Sequence, residues 1–178
     1  MYPSNQPGNR NNRTKVDSEL GSFYSGTQFR TFKEITLAAG ASLNVKMVRP
    51  LDIIIRGFQM HVSAGEMRCE IYRGATPGGT WNGTLPVIGK CEFTDNPLPL
   101  YVPQCSLTSG GTFSGGTLYD LMHVKTAGAT GQASTIGDEM ESQLGAPANS
   151  TGIYKFMNPG NSDAVGIFAM WWEELPTK

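Results

Sequence analysis

Charge is scarce in this chain, and histidine is scarcer still. Of 178 residues only 16% are charged, against about a quarter in an average domain. The two histidines, His61 and His123, have neither HExxH spacing nor a cysteine pair beside them, so no zinc motif is present. No GxSxG occurs, which leaves a serine-hydrolase elbow without local support. The three cysteines, Cys69, Cys91 and Cys105, are an odd number with no CxxC. That argues against a secreted disulfide framework and for buried thiols in a protein made in a reducing cytoplasm. No run approaches 18 apolar residues, so no transmembrane helix is expected. The opening MYPSNQPGNRNNR lacks the apolar stretch of a signal peptide. No segment sustains a 3.6-residue period, so no long helix is expected. The net charge of -1 removes any general pull towards nucleic acid.

What the chain has instead is glycine, 22 of them, and short alternating segments. One domain of this length buries roughly 70% of its unfolded surface. Residues 1–28 read as an extended polar arm and residues 29–178 as the folded domain. Gln28–Leu37 is rich in strand formers. Ser42–Val48 alternates, with Leu43, Val45 and Met47 inward. Asp52–Val62 changes phase at Arg56-Gly57, which predicts a β-bulge. Glu66–Arg73 places Met67, Cys69 and Ile71 on one face. Short strands are expected around Pro86–Phe93 and over Gln104–Thr108. Between them Thr94–Pro103 is extended, with Pro97, Pro99 and Pro103 barring a central strand. Gly110–Gly116 reads as a glycine turn into Thr117–Thr126, with Leu118, Met122 and Val124 on one face. Asp138–Leu144 has room for one helical turn.

The most informative stretch is Gly152–Leu175. Ile153–Met157 and Ala164–Glu173 read as the arms of a β-hairpin around an Asn/Pro/Gly/Ser/Asp turn. The second arm is apolar on both faces: Val165, Ile167, Ala169 and Trp171 on one, Phe168, Met170 and Trp172 on the other. Such a strand is central and is expected to be covered twice. About eight strands with turn signals every eight to twelve residues predict an all-β fold, a jelly-roll-like antiparallel β-sandwich.

Few side chains suggest chemistry. GGTFSGG has no phosphate-binding lysine and opens no helix. Asp138, Glu139 and Glu141 cluster without a calcium-loop pattern. Glu173 and Glu174 are strand neighbours and point to opposite faces, which argues against paired-carboxylate catalysis. No catalytic, metal or cofactor-binding residue is therefore assigned. Recognition residues are easier to nominate. In the arm these are Tyr2, Arg10, Arg13, Lys15, Phe23 and Tyr24, the aromatics as anchors and the cations setting register. Trp81, with Tyr72 and Tyr101 near in sequence, is an interface anchor or a sugar-stacking platform.

The phrases RTFKEITLAAG, EIYRGATPGGTW, LPVIGK, GGTFSGGTLYDLMHVKTAGATGQAST and YKFMNPG with WWEE resemble small virion proteins of tailed bacteriophages. They span about residues 30 to 174 and leave out the arm. The resemblance implies a non-enzymatic, jelly-roll-like structural protein of the virion, without cofactor and with no catalytic residues to carry over. It implies capsid decoration (cementing) as an oligomer, a dimer or trimer, bound to the major capsid protein or other virion proteins. Neither specific nucleic acid nor membrane is an expected partner. A tail or neck component is the alternative, and a receptor- or glycan-binding sandwich using Trp81 is another.

Overall fold

The computed structural model describes residues 22–91, 101–126, 134–136 and 144–175. Its strands in chain order are β1 (Gln28–Leu37), β2 (Ser42–Arg49), β3 (Ile53–Ala64), β4 (Glu66–Arg73), β5 (Thr76–Gly78), β6 (Gly83–Thr84), β7 (Ile88–Gly89), β8 (Ser106–Ser109), β9 (Thr112–Ser114), β10 (Thr117–Lys125), β11 (Ser134–Ile136), β12 (Leu144–Ala146), β13 (Ser150–Met157) and β14 (Ala164–Glu174). Two antiparallel sheets form an all-β sandwich. Sheet A runs β11-β3-β14-β1-β7, with β12 also on β3, and sheet B runs β10-β4-β13-β2-β8-β6. A small ribbon, β5 with β9, stands apart.

The long strands alternate between sheets: β1 in A, β2 in B, β3 in A, β4 in B. The inward residues of both sheets make one core. Phe58 of β3 stacks on Tyr154 of β13 at 5.7 Å, and Phe168 of β14 meets Phe156 of β13 at 5.2 Å. Trp172 is fully buried beside Phe29. The inward sets expected for β2 and β4 are found there, Val45 and Met47 from one, Met67 and Cys69 from the other.

The expected hairpin does not exist. β13 pairs with β2 and β4, whereas β14 pairs with β1 and β3, so the Asn158–Asp163 turn crosses from one sheet to the other. Turn chemistry is the same for both routes, and apolar arms report burial rather than partners. The crossing is fixed by Asn158, itself buried. Its Nδ2 donates to the carbonyls of Leu37 (2.9 Å) and Ser162 (2.8 Å). Its backbone N–H donates to Ala41, and its carbonyl accepts from Gly40 N. The β1–β2 and β13–β14 crossings are thus tied together at one end of the sandwich.

The bulge expected at Arg56-Gly57 is present. Trp171 lies opposite Gly57 while Trp172 lies opposite Ile55, so Arg56 is the extra residue. Gly57 is needed for a further reason: a Cβ there would overlap the Trp171 indole. Two further bulges carry no signal in the sequence: Ser63 is the extra residue where Val165 faces Ala64 and Gly166 faces Val62, and the other lies in β10. The register slips between Leu118 and Asp120, so Leu118 pairs with Tyr72 and leaves the face of Met122 and Val124 for solvent. The glycine-rich loops also hold β5, β6 and β9; Gly110, Gly111, Gly115 and Gly116 all take positive φ and allow two close turns around β9. The one helical turn expected over 138–144 lies outside the described residues save Leu144, which opens β12.

Two substitutions test this packing in urea unfolding. Trp172→Ala should cost about 3–5 kcal/mol through the cavity it leaves. Gly57→Ala should cost about 1–3 kcal/mol by overpacking against Trp171, and adding Trp171→Ala should recover much of that loss. Independent, additive effects would show that the two residues are not in contact.

Candidate interaction surface

The outward residues of sheet A form rows set by register. Arg30 of β1 lies beside Trp171 of β14 and then Gly57 of β3. Phe32 lies beside Ala169 and Gln59, Glu34 beside Ile167 and His61, and Thr36 beside Val165 and Ala64. The face is therefore apolar down β14, with polar and charged groups on both flanks. Phe32 is 46% exposed and Ile167 43%, and Val165 is similarly open. Among the described residues, the double cover expected over β14 is found on the core side only. At one end of the face Glu173 pairs with Arg56, and Trp171 lies flat on Gly57.

A second apolar patch lies on β10, at the edge of sheet B. Leu118, Tyr119 and Leu121 are all exposed there. Both patches are larger than scattered single residues, and contiguous exposed apolar surface marks contact sites.

The nominated recognition residues fall in three places. Tyr2, Arg10, Arg13 and Lys15 lie outside the described residues. Phe23 and Tyr24 share one helical turn before β1 and meet edge-to-face at 5.5 Å, Tyr24 being exposed. That turn is tied down: Thr27 N–H donates to the Ser22 carbonyl, and Glu174 N–H to the Thr27 carbonyl. The ordered hydrogen bonding therefore reaches back to Ser22, within the stretch read as arm.

Trp81 is half-buried in its own chain. A Cβ on Gly111 would overlap its indole, and Lys46 Nζ stands 4.8 Å from the ring centroid. Tyr72 donates to Glu70 and packs on Phe113, while Tyr101 packs towards Phe29. The three aromatics do not assemble into one stacking platform.

Glu173 and Glu174 do point apart. Glu174 is fully buried and inward, accepting from Gln104 N and Cys105 N, both at 2.9 Å, and from Trp172 Nε1. His123 is bonded to Glu66 at 2.6 Å, with Lys125 at 3.4 Å. The His123 hydrogen bond holds the Glu66 carboxyl below its ordinary range. Among the described residues no three His, Cys, Asp or Glu side chains converge as metal ligands.

Arg49 and Arg73 were overlooked by the sequence reading, although the signal was there. Each sits one step beyond an inward series, Leu43-Val45-Met47 and Met67-Cys69-Ile71. Continuing the first alternation by two residues puts Arg49 inside the sandwich, and continuing the second brings the half-buried Arg73 beside it.

Cys69, Cys91 and Cys105 are buried, and none forms a disulfide. Burial pushes the Cys69 and Cys105 thiols well up, and the Glu174 carboxylate adds to the effect at Cys105. Thiolate is the reactive form, so at pH 8 a thiol reagent should label native protein far more slowly than protein in urea. Rapid labelling of Cys69 in the native state would show that this core is not closed.

Compared with known proteins, the chain matches no family model, and no curated protein matches it.

Proposed function

We propose that this chain is a non-enzymatic structural protein of a tailed-phage virion, a capsid decoration (cement) protein that binds the shell as a homo-oligomer. The observation that carries the reading is the open apolar face of sheet A, Phe32, Val165 and Ile167 around β14. A strand built with apolar residues on both sides has a use for the second side when another chain covers it. The β10 edge patch supplies a different surface. The open face paired with itself gives a two-fold dimer, and the face paired with the edge gives a heterologous contact that makes a trimer when its rotation closes. Cementing needs many modest contacts of this kind rather than a single deep site.

The strand pairing supports the jelly-roll part of the reading. β1 pairs β14, β2 pairs β13, β3 pairs β11 and β12, and β4 pairs β10. Nested pairing of this kind is what one long hairpin folded over on itself would give, as in a double Greek key. Trp81, packed against Gly111 and Lys46, gives the glycan-binding alternative no open platform. A tail or neck position uses the same surfaces and differs in copy number.

Quantitative mass spectrometry of purified virions should find the chain on the order of hundreds of copies per particle if it decorates the shell. A dozen or so copies would move it to the tail or neck, and absence from virions would sink the proposal. In sedimentation the wild-type chain should run as a dimer or trimer, and Ile167→Asp, which places a charge on the face, should run as a folded monomer.

A further inference from the structure

The described residues contain one deeply buried cation with no neutralising partner. Arg49, the last residue of β2, points inward and is 4% exposed. Its Nε is buried and has no hydrogen-bond partner. No described carboxylate pairs with it: the acidic groups paired with cations are Glu66, Glu70 and Glu173, and their partners are His123, Lys125, Arg68 and Arg56. The other buried carboxylate, Glu174, is occupied by Gln104, Cys105 and Trp172.

A second guanidinium lies close by. Arg73 ends β4, and its Cζ stands 3.5 Å from the Tyr119 ring centroid. Arg49, Arg73, Tyr119, Gly152 and Tyr154 line one half-open pocket, floored by Ile55, Phe58 and Ile71. Its lining contains no Asp or Glu. The Arg49 head lies against Gly152: a Cβ there would meet Nη2 at 3.4 Å and Cζ at 3.5 Å, ordinary contact distances. Burial depresses the Arg49 pKa, and the nearby Arg73 charge lowers it further. Burial likewise pushes the Tyr154 phenol up to about 12, so its hydroxyl keeps a proton to donate.

An arginine remains protonated inside a protein, and an unpaired buried charge is strongly unfavourable. The mutual repulsion of the two guanidinium groups adds to the cost. The arrangement gains what it lacks from an anion brought in through the open mouth. We infer that Arg49 and Arg73, with the Tyr154 hydroxyl, form a binding site for a small oxyanion, a carboxylate or an inorganic oxyanion, at the end of the sandwich. The closed part of the cavity is small, about 20 Å³, so a compact anion is seated there with its remaining atoms at the open mouth. Guanidinium forks suit the paired oxygens of such a group. The source is either a free ion or a carboxylate carried on a partner chain.

The test is thermal unfolding of the full-length protein titrated with acetate and with sulfate at constant ionic strength, alongside Arg49→Met, Arg49→Lys and Arg73→Met. Wild type should show a saturable rise in Tm of about 3–5 °C at ten times Kd. Arg49→Met should lose that rise, and because it removes a buried unpaired charge it should be no less stable than wild type without anion. Arg49→Lys should bind more weakly through one donor. Should Arg49→Met fail to fold, Arg73→Met and a crystal grown in selenate decide, through an anomalous peak between the two guanidinium groups. Saturation below about 1 mM marks a free ion as the occupant; saturation only at tens of millimolar marks a headgroup delivered by a partner. Equal, unsaturable responses in wild type and variants, with no anomalous peak, overturn the site.

Discussion

The placement of β14 between β1 and β3 is the constraint on which the sandwich rests. It gives sheet A its centre and sends Phe168, Met170 and Trp172 into the core. It also forces the Asn158 crossing, since β13 is committed to the other sheet. The buried Asn158 amide meets this need with directed hydrogen bonds, because backbone carbonyls buried at a sharp crossing are costly when left unpaired. The three bulges, at Arg56, Ser63 and Tyr119, are the places where the chain changes phase between its long pairings.

Much of this was legible in residue order. The phase change in IIIRGFQM marked the Arg56 bulge, and the two-sided apolarity of AVGIFAMWWEE marked a central strand. Partner choice was not legible. A six-residue turn of Asn, Pro, Gly, Ser and Asp serves a hairpin or a cross-sheet connection equally well, and the decision lies in long-range pairing with β1 and β2. The phase of Leu118 was hidden for a similar reason, since nothing in TLYDL distinguishes a bulge from a regular strand.

The surface residues divide along the same line. The outward row of β14 could be read from alternation alone, but its exposure among the described residues needed the fold. Trp81 looked like an exposed anchor because it sits among glycines. Those same glycines let Gly111 approach its ring and bury half of it. Arg49 shows the opposite failure: the alternating segment read as Ser42–Val48 stops one residue short of it, so the inward phase of the arginine was passed over.

The order of the strands along the chain has a consequence for synthesis. β1 and β3 leave the ribosome long before β14, the strand that lies between them. Until it arrives, sheet A has no centre, and both strands present unpaired edges facing a gap. Closing that gap joins residues more than a hundred positions apart, which is slow because loop closure must precede the contacts that reward it. In a cell crowded with copies of the same nascent chain, the vacancy is open to another copy's β14 as well as to its own. Temperature and expression rate should therefore govern how much of this protein is recovered folded rather than strand-exchanged or aggregated.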